Sequence, residues 1–154
     1  MNTLEWLEYS AIGEIVRRVY PWIEVIHILG FSLLFGCVTV FDLRLLGYYR
    51  RLSIADAVRY LLGLAQISFL AVAISGFLLF AAQPTVLVTN VAFRFKLLLL
   101  AFALLNAVVF HSSFSPYFKR WRKTNRVNFF QAIAILSLLI WTGIMICGRL
   151  IAYV

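Results

Sequence analysis

PWIEVIHILGFSLLFGCVTVF, residues 21–41, decides how this chain folds. It holds no lysine or arginine, and Glu24 is its single acid. A helix rises about 1.5 Å per residue and the hydrocarbon core of a bilayer is about 30 Å thick, so roughly 20 apolar residues cross it. This stretch is long enough. Pro21 suits a first helical turn, where its missing N–H costs nothing. Asp42, Arg44, Arg50 and Arg51 follow the run and mark its far boundary.

The same pattern recurs downstream over residues 58–82, 91–112 and 128–153. Ser53-Ile-Ala-Asp56 reads as a capping box ahead of the second span. Gln83-Pro84 stops that span, the apolar loop TVLVT follows, and Asn90 is a candidate N-cap for the third. The basic loop SSFSPYFKRWRKTNR leads to the fourth. Upstream, Leu4, Leu7, Ala11, Ile12, Ile15 and Val16 form one helical stripe, with Glu5, Glu8 and Glu14 away from it. That is the pattern of a helix lying in the membrane surface, and Trp6 and Tyr9 suit that depth. The same stripe also fits a helix that caps the bundle through protein contacts. The predicted fold is all-α: one integral membrane four-helix bundle over 1–154, preceded by an amphipathic interfacial helix over 1–19.

Composition agrees. Hydrophobic residues make up 64% of the chain and charged residues 13%, against about 45–50% and about 25% in a soluble domain. Lysine and arginine outnumber the acids 14 to 6. Because these charges sit between apolar runs, they point to the lipid bilayer as partner and not to nucleic acid. Nine of the 14 basic residues fall in the first-to-second and third-to-fourth loops. The positive-inside rule then puts those loops in the cytoplasm and both termini outside it, in a bacterial inner membrane.

Ionisable and amide side chains inside a span are costly in lipid, so they are the candidates for function: Glu24, His27, Gln66, Lys96, Asn106, His111 and Arg149. His27 leads. It lies about 9 Å below Pro21, with Gly30 one turn on, where a flat ligand can approach the backbone. A histidine on a bundle helix is a common way to hold a b-type haem, and its plain alternative is a hydrogen bond to another helix. Lys96 lies about 8 Å below Val91, level with His27, while His111 lies about 30 Å down the same helix. Lys96 as a neutral amine is therefore the better second ligand, and snorkelling to the headgroups is its structural alternative. Arg94 and Arg149 near the same boundary are candidates to pair with haem propionates, and Arg149 alternatively with Glu24. His111, Asn106, Gln66, Asp42 and Arg44 are candidates for a second polar site, such as a quinone pocket.

Other chemistries lack their residues. Copper transport favours clusters of methionine and cysteine, whereas Cys37 and Cys147 lie at different depths. That difference also argues against a disulfide. No nucleophile, phosphate-loop or zinc motif is present in the sequence.

WIEVIHILGFSLLFG followed by DLRLLGYYRR resembles the first histidine-bearing helix of the HemJ-type protoporphyrinogen oxidases and the related CopD-like membrane proteins. ISGFLLF and FRFKLLLLAFALLNAVVFH resemble the next two helices of that group. The chain is also similar to a family of small bacterial four-helix membrane proteins of unknown function. The HemJ resemblance implies that His27 and Lys96 ligate a b-type haem. At the start of the last helix, Arg126-Val-Asn128-Phe-Phe-Gln131 lacks the glutamate and proline of the HemJ type. The resemblance therefore extends to haem binding more than to porphyrinogen oxidation.

The expected function is a membrane haem b protein with an electron-transfer or quinone-linked redox role, working with quinone or a redox partner protein. A homo-oligomer is compatible with this reading. The rival classes are a cofactor-free accessory subunit and a transporter of a small solute.

Overall fold

The structure, a computed structural model, describes residues 3–114 and 127–153. The basic run Lys119, Arg120, Arg122, Lys123 and Arg126 lies outside the described residues. The elements are α1 (Thr3–Glu8), α2 (Ala11–Leu45), α3 (Ile54–Ala82), α4 (Pro84–Thr89), α5 (Val91–Phe114) and α6 (Val127–Leu150). No strand occurs among the described residues. The protein is an all-α bundle of four helices, each long and apolar enough to cross a membrane.

The surface confirms which solvent the bundle is built for. Ile67, Leu70, Leu105 and Leu139 all point outward with well over half of their surface open. A water-soluble protein does not leave its apolar side chains exposed on every helix, whereas lipid tails accept them. Association inside the bilayer then rests on close packing, because lipid is as apolar as leucine.

The four long helices form two antiparallel pairs, α2 with α3 and α5 with α6, joined where α2 meets α6. Glycines set the approach. A Cβ on Gly30 would lie 3.0 Å from the Val72 side chain, and one on Gly143 would lie 3.0 Å from Leu99. Aromatic side chains fill the wider seams at the far half of the bundle. There Phe110 meets Phe41 edge-on at 5.4 Å and Phe130 at 6.1 Å. Phe41, Leu45, Ala57, Phe110, Phe130, Ile133 and Ala134 form the largest buried cluster.

The N-terminal segment departs from the sequence expectation. One helix over 1–19 and a break at Pro21 were predicted, yet the break falls at Tyr9-Ser10 and α2 runs through Pro21. Ser10 is the reason. Its hydroxyl accepts from Gly13 N–H at 3.2 Å and donates to Leu7 C=O at 2.6 Å, which caps α2 and ends α1. Gly13 permits the corner, since a Cβ there would stand 2.5 Å from the Glu8 carbonyl oxygen. Pro21 is tolerated inside the helix at the loss of one backbone bond. The apolar stripe also divides: Val16 is buried, whereas Ile12 and Ile15 face outward.

TVLVT, expected as a loop, belongs to the short helix α4, with Pro84 in its first turn. Ser53 caps α3 as expected, accepting from Asp56 N–H at 3.0 Å. A π-helical turn over Ala57–Leu62 follows.

Candidate functional site

Three contacts tie the chain together at the end of the bundle where α1, α4 and residue 151 meet, here the terminal end. Thr85 Oγ1 donates to Glu8 at 2.5 Å, Arg17 donates to Ala82 C=O at 3.3 Å, and Asn90 Nδ2 donates to Ile151 C=O at 3.1 Å. His27 and Lys96 lie below this end, about 9 Å under Pro21 and about 8 Å under Val91 at 1.5 Å per residue.

His27 is half-buried on α2 and packs against α3. Its Cε1 is 3.0 Å from where a Cβ on Gly76 would stand, so this glycine gives the ring its place. Nδ1 is 3.0 Å from Ser75 Oγ. The Ser75 hydroxyl donates to the Ala71 carbonyl at 2.7 Å. When the Ser75 proton goes to Ala71, Ser75 accepts from a ring N–H at Nδ1. The ring also meets the backbone of Val72. In the neutral imidazole Nε2 then keeps its lone pair, as a metal ligand requires.

Lys96 is half-buried on α5 and lies along α6. Its Nζ is 3.7 Å from where a Cβ on Gly148 would stand. No hydrogen bond or salt bridge from Nζ is formed among the described residues. Lys96 and His27 are close enough to interact electrostatically, as are Lys96 and Cys147. The helices thus bring the two candidate ligands into one half of the bundle.

The other candidates are placed differently. His111 is exposed toward the far end of α5, with Nδ1 3.2 Å from Ala107 C=O. Arg94 is exposed and donates to Val88 C=O at 2.7 Å. Arg149 is exposed and donates to Tyr153 Oη at 2.8 Å, with its guanidinium 5.1 Å from the same ring centre. Neither arginine pairs with Glu24, and the ion pair found among the described residues is Arg18–Glu14 at 2.9 Å. Gln66 faces outward, away from Asp42 and its buried neighbours. Gly30 faces Val72, so its missing side chain serves the α2–α3 seam and not a ligand.

Sequence reasoning missed Ser75 and Gly76. Their signal was ISG within the second span: a small polar residue and a glycine side by side, at a depth below Ala82 comparable with that of His27 below Pro21. Among the described residues no three His, Cys, Asp or Glu side chains gather to hold a metal ion. No protein-family model matches this chain, and neither does any curated protein or solved structure.

Proposed function

We propose that this protein is a b-type haem protein of a bacterial inner membrane, with His27 as axial ligand and Lys96 as the second. One observation carries the reading: the Ala71–Ser75–His27 hydrogen-bond chain, which suits the tautomer with its lone pair on Nε2. Metal-ligating histidines are commonly held this way by the partner of their other nitrogen. Lys96 supports it as a half-buried amine with no carboxylate beside it. Arg94 and Arg149 bond neutral groups at the same end, so their charge is available to an acidic group. His111 takes no part.

A bound haem supplies one-electron exchange, which fits an electron-transfer or quinone-linked role. The chain's own contribution is to fix the tautomer of His27, hold the amine of Lys96 within the bundle and keep lipid-facing surface around both. The nine basic residues of the two basic loops orient those loops to the cytoplasm.

Absorption spectra of the detergent-purified protein, oxidised and then reduced with dithionite, test the proposal. The expected result is a Soret band and a reduced α band of b type, both absent from His27→Ala. A protein that purifies colourless from cells supplied with haem, or a spectrum untouched by that substitution, overturns it.

A second reading has its own support. Val72 fills the space at Gly30, and the His27 ring fills that at Gly76. Such closure also suits a cofactor-free accessory subunit in which His27 joins α2 to α3.

A further inference from the structure

The far half of the bundle contains a polar group that the His27 site does not use. Asp42 on α2 is 4% exposed. Ser137 of α6, itself 6% exposed, lies beside its carboxyl, and Oδ2 has no hydrogen-bond partner among the described residues. One turn earlier on the same helix, Thr39 Oγ1 is also buried and without a partner. Thr39 is unusual in this. Ser32, Ser68, Ser75 and Ser112 each return their hydroxyl to a carbonyl one turn back.

Among the described residues no charge explains the carboxyl. On its own helix, Arg44 turns away and donates Nε–H to Leu52 C=O at 2.6 Å. The α3 segment brings Ala57 to this region, while its Arg59 stays exposed over Tyr60. From α5 comes Phe110, with His111 beside it exposed and on Ala107. From α6 come Ser137 and the apolar Phe130, Ile133 and Ala134. Among the described residues no salt bridge reaches Asp42. A lone buried carboxylate is expensive in lipid, and ionisable groups so placed mark proton paths or ligand sites.

We propose that Asp42, with Thr39 and Ser137, forms a proton-binding site inside the membrane, the proton residing on Oδ2. Uptake makes the Oδ2–H bond and takes the carboxyl from one negative charge to none. Release gives the proton to a water molecule and restores the carboxylate. Ser137 fixes the other oxygen. Thr39, on the same face, supplies a hydroxyl not committed to the backbone, through which a proton can pass. This site is separate from the proposed haem site and does not depend on it.

Infrared spectroscopy of the full chain in liposomes at neutral pH tests it. The chain has two aspartates, Asp42 and Asp56, and Asp56 is exposed with its carboxylate accepting from the Ser53 hydroxyl. The expected result is a carboxylic-acid C=O band that shifts in deuterated water, shifts on carbon-13 aspartate labelling, and survives Asp56→Asn. Asp42→Asn removes the band, and Ser137→Ala moves it to higher frequency. The labelling shift together with survival in Asp56→Asn assigns the band to Asp42, so a misfolded Asp42→Asn does not blunt the test. Absence of a labelled acid band overturns the proposal. A band that appears only when sodium is replaced by choline also overturns it, because the site then holds a metal cation.

Discussion

His27 Nδ1 stands 3.0 Å from Ser75 Oγ, and Ser75 donates its own proton to Ala71. The direction of that bond decides what the ring can do. With Nδ1 as donor, the neutral ring presents Nε2 as a lone pair; with the reverse, it presents an N–H and cannot bind iron.

Ser75→Ala removes the acceptor and should leave the tautomer unfixed. Nitrogen-15 spectra of histidine-labelled protein in detergent should show one neutral tautomer in the wild type and a mixture in the variant. Haem affinity should fall about 10–100-fold, the usual cost of losing a partner that orients a ligand. An unchanged pair of nitrogen shifts would show that Ser75 does not set the ring.

Gly76→Ala tests the seat of the ring. The new Cβ would stand 3.0 Å from His27 Cε1, so the imidazole must shift. Overpacking of this kind costs about 1–3 kcal/mol. Gly36→Ala is the control, since nothing lies within 4 Å of a Cβ there. Losing a helical glycine at an open position should stabilise by roughly 0.5–1 kcal/mol. Thermal unfolding in detergent should therefore move in opposite directions for the two variants. Equal shifts would mean that His27 does not pack on Gly76.

The bundle was legible in the sequence because lipid imposes length and composition on every span, and neither depends on partners. Ser53 and Asn90 were legible as caps for a similar local reason. The Tyr9-Ser10 break was not, because Pro21 offered a competing helix start, and Ser10 caps the helix only where Gly13 lets the corner close on the Glu8 carbonyl. For the candidate site, depth along each helix placed His27 with Lys96 and apart from His111. Depth says nothing of rotation about the helix axis. That is why Ser75 and Gly76 stayed invisible, Gly30 was read as facing a ligand, and Gln66 was placed with Asp42 although it faces outward.

Gly13→Ala should open the corner between α1 and α2. Its Cβ would lie 2.5 Å from Glu8 C=O, a backbone atom that cannot move without the helix that carries it. The expected outcome is detachment of α1, read as faster proteolysis near Tyr9 and a loss of about 1–3 kcal/mol. Wild-type resistance in the variant would mean that the corner has room to spare.

Asn90 joins the terminal end in two directions, and graded substitutions separate them. Its Oδ1 accepts from Phe93 N–H at 3.0 Å, capping α5, and its Nδ2 donates to Ile151 C=O at 3.1 Å, linking α5 to the end of α6. Serine caps a helix about as well as asparagine but cannot reach across, so Asn90→Ser should lose the link alone, about 1 kcal/mol. Asn90→Ala loses the cap as well, for roughly 1 kcal/mol more. Because α5 carries Lys96 in its second turn, fraying here should also loosen that amine from α6. Hydrogen exchange should accordingly quicken at Phe93 in the alanine variant and stay slow in the serine variant. If the two variants unfold alike, the cap contributes nothing; if serine matches the wild type, the link to Ile151 contributes nothing.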